Sequence, residues 1–401
     1  MKNPVVRGAD ILLPAEHVSL EKWSVVAVDQ YTSQPEYWHR AEEIVGAAPS
    51  ALKLTLPEVY LSESECRTAA MQAEMKKYLA DGTVEKKIEN GMILVERSTE
   101  SGVRLGLMAC LDLEEYDYTA GSRSMIRATE GTVIERVPPR VKIRRGAAME
   151  LPHVLMLLDD PACSVIEPLY ARRGKLACLY DFELMQGGGH LRGWKVETEM
   201  AAPALDALYE ACGGLFLAVG DGNHSLAAAR AYWLEIKQSL PESEWEAHPA
   251  RYALAEIENL HSPAIQFEPI HRIVTGVNPA ELIADYEATL GGPEGENQLT
   301  LVTQAEACSY RFADHPLKDL QAFLDDWLKD HPKAEIDYIH GDDTLRRLVD
   351  RPDAVGFMPC GFAKSELFPF IRKYGVLPRK TFSMGHAHEK RFYLEARKIE
   401  K

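Results

Sequence analysis

Apolar and polar positions follow two rhythms along this chain, and the sharpest change between them lies near its middle. Residues 215–219 are a continuous apolar run of strand length, Gly220-Asp221-Gly222-Asn223 is a dense turn signal, and an alanine-rich stretch continues to 240. Alanine has the highest helix propensity, so the pattern predicts a strand, a tight turn and a helix. Earlier in the chain it predicts strands at 23–28 and 52–56. A helix to about 46 should open on Ser33 as N-cap, Pro35 in the first turn and Glu36 as capping-box acid, and a second helix should cover 63–79. Residues 91–96 and 103–111 alternate around Ser98-Thr99-Glu100-Ser101-Gly102, and 176–182 and 191–196 flank Gly187-Gly188-Gly189, so each set reads as a β-hairpin. Between them, Pro138-Pro139 should start a helix and 154–158 form a buried strand; a helix at 202–212 then leads into the central strand. Strands at 251–257 and 265–274 precede a break at Gly276-Val277-Asn278-Pro279. Beyond it the rhythm alternates between helix and strand as far as 375, and a last strand is predicted at 391–399.

These elements imply an α/β protein with mixed, α+β-type sheets. The expected organisation is a core domain at 1–275, a smaller α/β lobe at 276–375, and a C-terminal segment, 376–401, that returns to the core site. A length of 401 residues agrees with two or three domains at ~150 residues each.

Charge narrows the class. The formal net charge is −16, from 45 basic and 61 acidic side chains, which argues against non-specific nucleic-acid binding. Seven cysteines are scattered without a C-x-x-C pair, as in a reduced, cytoplasmic protein. The first residues lack the apolar core of a signal peptide, and no run approaches 18 apolar residues, so no membrane partner is expected.

The central turn carries the candidate chemistry. The first N–H groups of a helix have no intrahelical partner and, with the helix dipole, favour an anion such as phosphate. Gly220 and Gly222 lack a Cβ and would admit a ligand to the backbone. Asp221 or Asn223 could cap the helix, and His224 and Ser225 would stand in its first turn. Asp221 is a candidate general base or Mg²⁺ ligand. Turn geometry and capping alone would also account for Gly, Asp and Asn here.

Other candidates are scattered. Asp29, Gln30 and Tyr31 follow the predicted strand at 23–28, where an α/β site collects groups. Residues 123–145 hold a cluster of basic side chains, among them Arg127 and Arg140, with Glu130 nearby; the cluster is either an anion clamp or a solvated helix face. His271 and Arg272 end a strand, and Lys380 and Thr381 lie in a basic, glycine-broken tail. Asp159-Asp160-Pro161 reads as a turn, and His386 and His388 as surface-loop residues rather than metal ligands.

Taken together, five segments resemble the domain of unknown function 1015 family. They are Val25-Val26-Ala27-Val28-Asp29-Gln30-Tyr31, residues 126–140, residues 218–229, Pro269-Ile270-His271-Arg272, and Leu377-Pro378-Arg379-Lys380-Thr381-Phe382. The family's central loop reads Asp-Gly, a variable residue, then His-Arg. Here Ser225 replaces that arginine, and Arg127, Arg140 or Arg272 is left to supply the contact. The loop is in turn similar to the phosphate-binding loop of the ParB and sulfiredoxin superfamily, which includes partition clamps, sulfiredoxins and free-serine kinases. The resemblance implies a ParB/sulfiredoxin-like core with large insertions. Asn223 stands where sulfiredoxins have their cysteine, and no basic DNA-binding domain is evident, so the small-molecule kinase branch remains. Relatives are often encoded beside serine-biosynthesis genes, which associates the family with serine or phosphoserine.

The expectation is therefore a phosphoryl-transfer enzyme acting on a small hydroxy or phospho metabolite, with a phosphatase and a non-catalytic nucleotide-binding regulator as alternatives. Asp221, His224 and Asp29 are the expected catalytic groups. Gly220, Gly222, Asn223, Ser225, Arg127, Arg140, Arg272 and Lys380 are the expected phosphate ligands. Gln30, Tyr31, Glu130, His271 and Thr381 are expected to face the substrate. Mg²⁺ on Asp221 and a nucleoside triphosphate or diphosphate are the candidate cofactors, and a homo-oligomer is left open.

Overall fold

The computed structural model describes residues 2–32, 34–119, 121–290, 295–385 and 387–400. The chain divides into two compact units, Met1–Ile265 with His386–Lys401, and Gln266–Gly385. Both are mixed α/β.

The first unit is built on a ten-stranded sheet. Its main path runs Ile126–Ala128, Leu217–Asp221, Leu155–Leu158, Tyr252–Asn259, Gly102–Asp112, Val84–Thr99, His190–Glu197, Cys178–Glu183. Most neighbours are antiparallel; Leu217–Asp221 runs parallel to Ile126–Ala128, and Tyr252–Asn259 parallel to Leu155–Leu158. Both expected hairpins form. Successive side chains of a strand point to opposite faces. Ile93, Val95, Met108, Cys110 and Leu254 belong to one buried cluster, and Met92, Leu94, Leu107, Ala109, Leu111 and Ala255 to another. Both faces of the central strands are thus covered, and residues 92–95 and 107–111 are continuously apolar rather than alternating as expected. The alanine-rich helix Asn223–Lys237 buries Leu226, Ala227, Ala228, Ala229 and Trp233 in the second cluster. The helix Val137–Arg144 packs against it through Val137 and Val141.

The second unit has a six-stranded antiparallel sheet, ordered Ala307–Phe312, Asn297–Val302, Ala354–Pro359, Phe267–Thr275, Glu335–His340, with Phe382–Met384 paired to the first part of Phe267–Thr275. Pairing explains where this unit starts and ends. Phe267–Thr275 and Phe382–Met384 are hydrogen-bonded into its sheet, so the unit takes in 266–275 and 376–385, which the sequence division had assigned to the core and to the returning segment.

Three predicted strands take other forms. Residues 23–28 follow a helical turn, Leu20–Trp23, and then run extended with a single bridge, Val26 to Phe392; the Ala27 amide donates to the Arg391 carbonyl and the Tyr393 amide to the Val25 carbonyl. Residues 52–56 fall in and after the 3₁₀ turn Ala51–Lys53, capped by the Ser50 hydroxyl. Of 391–399 only Arg397–Lys398 is a strand, paired with Met149–Glu150. In each case no long ladder forms: 25–27 pair only with the 391–393 segment, 52–56 follow the Ser50-capped turn, and 397–398 pair over two residues. The helix after Tyr31 is Pro35–Val45, with Gln34 as an N-cap that makes no side-chain bond; the expected cap, Ser33, lies outside the described residues, as does His386.

Buried charge fixes the C-terminal segment. Arg391 is 5% exposed and bonds the carboxylates of Glu256 and Glu395, while its Nε donates to the Pro152 carbonyl at 3.2 Å. Arg97 donates to the carbonyls of Gly188, His388 and Glu389. Removing one partner of a buried pair leaves the other charge without compensation. Arg391→Met should therefore cost about 3–5 kcal/mol in chemical unfolding. Arg40→Ala, which breaks the exposed pair with Glu43, should have almost no effect. Equal costs for the two variants would refute this account of the tail.

Candidate functional site

The strand Leu217–Asp221 ends in a bulge: its register against Leu155–Leu158 shifts between Val219 and Asp221, across Gly220. Gly222 follows with φ 76°, the left-handed region that favours glycine, and serves as the helix N-cap without a side-chain bond. A Cβ on Gly222 would lie 2.9 Å from Val154 Cα, so the glycine is needed for packing as well as for φ. The first intrahelical bond is from the Leu226 amide to the Gly222 carbonyl. The amides of Asn223, His224 and Ser225 precede it and point out of the helix end.

Asp221 orients this turn. Its Oδ1 accepts the Gly222 amide at 2.8 Å, and its Oδ2 lies 3.1 Å from Lys390 Nζ. Burial works against its charge, but Lys390, His153 and the Gly222 amide together hold its carboxyl below the ordinary range. Asn223 acts as a latch. Its Oδ1 accepts from the Tyr116 hydroxyl at 3.0 Å, and its Nδ2 donates to Thr132 Oγ1 at 2.9 Å and to the Glu130 carbonyl at 3.4 Å. The segment before the arginine helix is thereby tied to the helix N-terminus.

His224 Nε2 accepts the Val133 amide at 3.2 Å. A ring nitrogen that accepts carries no proton, so in the neutral imidazole Nδ1 bears it and His224 is a donor. Burial, Arg140 and Arg136 push the His224 pKa down, with Asp29 opposing them. Arg140 is ion-paired with Glu58 and also feels Asp29. Tyr393 accepts the Val28 amide at 3.3 Å and is bonded to His153 Nδ1 at 2.8 Å; burial, then Asp29, pushes its phenol up. Asp29, Arg140, His224, Tyr393 and Asp221 thus form one electrostatic neighbourhood. A cleft of about 150 Å³ is lined by Arg140, Ser225, His153 and Tyr393 on one side and by Leu54, Leu56 and Met71 among others.

The other expected residues are placed as follows. Gln30 Nε2 donates to Asp29 Oδ1 at 3.1 Å. Tyr31 has φ 53° and stacks on Tyr37 with ring centroids 3.8 Å apart. Arg127 donates to the carbonyls of Ser124 and Gly214, at the end of its strand pair away from the loop, so it braces the sheet. His271, Arg272, Lys380 and Thr381 belong to the second unit. There His271 Nε2 bonds Asp342 at 2.8 Å, Arg272 bonds Gln321 and the carbonyls of Ile270 and Arg379, and Thr381 donates to the Pro378 carbonyl at 2.7 Å. Arg272 is fully buried, so it ties the 377–381 segment to its own sheet. Asp221, the expected Mg²⁺ ligand, has Lys390 Nζ 3.1 Å from its Oδ2. Among the described residues, no group of three or more His, Cys, Asp or Glu side chains could hold a metal ion. Among those residues, too, no helix is long and apolar enough to cross a membrane.

A family model matches residues 10–348. The chain belongs to the DUF1015 family, described as protein of unknown function. No curated protein sequence matches it. Among solved structures it is similar to a free serine kinase mutant in complex with AMP, at 12% identity and TM-score 0.40, over 73% of this chain and 91% of that one. It is also similar to SbnI with a C-terminal truncation from Staphylococcus aureus, at 11% identity and TM-score 0.34, over 69% and 82%. A conserved hypothetical protein from Pyrococcus furiosus matches at 10% identity and TM-score 0.35, over 73% and 95%.

Four residues of this DUF1015 site were not singled out by sequence: Lys390, His153, Tyr393 and Glu58. Lys390 stood in a stretch read only as basic tail, and nothing local marks the other three. The depressed pKa of His224 has a consequence for stability. The folded chain binds this proton less readily than the unfolded chain. Stability from neutral His224 is therefore complete above pH 6.5 and is lost as pH falls through the lower folded value. Wild type should lose more stability than His224→Asn between pH 8 and about pH 5. Urea unfolding at the two pH values measures this, and identical losses would contradict it.

Proposed function

We propose that this DUF1015 protein catalyses phosphoryl transfer to or from a small hydroxy or phosphorylated metabolite. One observation carries the reading: an uncapped helix N-terminus at Asn223–Ser225 opens beside a guanidinium and a donor imidazole. In such transfer the protein mainly positions the groups and offsets charge. The amides of 223–225, the Ser225 hydroxyl and His224 Nδ1–H would hold the phosphate oxygens. Arg140 would neutralise charge as it develops. Asp29, held in place by Gln30, is the base: the acceptor oxygen bonds to phosphorus, its proton passes to Asp29, and the bond from phosphorus to the donor's oxygen breaks. Asp221 is a positioning residue in this scheme, because its carboxylate is committed to Gly222 and Lys390. The proposed donor is a nucleoside triphosphate or diphosphate, the class implied by the loop's resemblance to kinases of its superfamily.

Incubation with nucleotides and a panel of hydroxy and phosphorylated metabolites, followed by ³¹P NMR, tests the reaction. Product formation that needs nucleotide means transfer, and release of inorganic phosphate without nucleotide means hydrolysis. Arg140→Gln should lower kcat by about 10²–10³-fold, and Asp29→Asn by about 10²–10⁴-fold. Wild-type rates in both variants would remove this assignment.

A further inference from the structure

The cleft beside the loop is unlike a site for a small hydrophilic molecule. Its polar lining is largely engaged within the protein. Arg140 is paired with Glu58, Arg144 with Glu150, Tyr393 with His153, and Thr55 Oγ1 donates to the Ala51 carbonyl. Ser225, from the first turn of the loop helix, lines the same cleft. Most of the remaining wall is aliphatic, with Leu54, Leu56, Met71, Met75, Ile143 and Leu151 as its main components. Thr55 and Met71 also line a second cleft of about 460 Å³, whose rim carries Glu42, Lys53, Arg67 and Glu74. The aliphatic wall is therefore bounded by a phosphate-type end at the loop and by a charged rim beyond Met71.

We propose that the substrate of this site is a phosphomonoester, or its parent alcohol, with a short aliphatic body; this rests on the phosphoryl-transfer reading above. The cleft is small, about 150 Å³, which limits the body to a short chain. A zwitterionic amino acid would have to desolvate its ammonium and carboxylate against Leu54, Leu56 and Ile143, with few unpaired groups to receive them. An alkyl chain gains instead from leaving water. The increment of ~0.8 kcal/mol per buried methylene corresponds to about fourfold in affinity per carbon.

The test is a competition series against inorganic phosphate on the full chain, using ethyl, propyl, butyl, pentyl and octyl phosphate together with O-phosphoserine. Affinity should rise about fourfold per carbon and level off before octyl, with phosphoserine no tighter than ethyl phosphate. Ile143→Gln and Met71→Gln should flatten the rise, two variants guarding against a single misfolded one. If inorganic phosphate binds but the series is flat in wild type, or phosphoserine binds tightest, the aliphatic substrate is refuted and the phosphate site stands. If no phosphate compound binds, both readings fall together.

Discussion

The loop depends on one partly buried carboxylate that stays ionised. Desolvation alone would push Asp221 towards its neutral form. Lys390, His153 and the Gly222 amide oppose this and prevail. Each of these contacts has a geometric consequence. The bond to the Gly222 amide turns that N–H back towards the strand and fixes the left-handed residue, so the next three amides leave the helix end together. The bond to Lys390 brings the C-terminal segment against the loop. A neutral Asp221 would keep its volume but lose both functions, because a carboxyl proton would compete with the ammonium for the same oxygens.

The rest of the first unit holds that carboxylate's partners in register. Lys390 sits beside Arg391, whose guanidinium is locked between Glu256 on a central strand and Glu395 on the tail. Arg97 clamps the carbonyls just before it. Such a network is costly to bury and weak evidence for net stability, but it specifies one path for a segment that has little ladder of its own. The cost of burying charge is visible at Glu258, whose carboxyl burial pushes up to about 7 although Arg104 opposes it, with Glu256 adding to the rise. An apolar tail could pack on the same sheet in several registers, whereas these ion pairs allow one. The precision needed at Asp221 is thereby supplied from residues that touch no ligand.

What the sequence disclosed follows the range of the interactions involved. The strand, turn and helix at 217–237 were legible because each is set by residues within a few positions: an apolar run, Gly-Asp-Gly, then alanines; the bulge and the left-handed Gly222 came only with the structure. Both hairpins and the arginine helix were legible for the same reason. The mixed α/β class followed from their sum. Roles set by distant partners were not legible. Arg127 and Arg140 look alike as sequence, yet one is bonded to the carbonyls of Ser124 and Gly214 and the other lines the cleft. Arg272 and His271 sit in a motif that invites a functional reading, but strand pairing places them in the second unit, where their side chains brace its interior. Tyr393 and His153 gave no signal at all, because a hydrogen bond between residues so far apart in sequence leaves no spacing to read.

A chain of net charge −16 would seem a poor host for an anion, and the resolution lies in length scales. At physiological ionic strength the Debye length is about 8 Å, so most surface carboxylates are screened from a ligand at the loop. What a phosphate bound as proposed would feel is the set of groups within a few ångströms. On the attractive side are three helix amides, Arg140 and the donor face of His224. On the repulsive side Asp29 and Glu58 remain; Glu58 draws on the same Arg140 charge, and Asp29 is bonded by Gln30. Asp221, the carboxylate closest to the loop in sequence, already has its counter-ion in Lys390. The uncharged amides therefore matter more here than the count of arginines. Their partial charges are fixed by the backbone, need no counter-ion, and cannot be screened by salt from a ligand in direct contact with them.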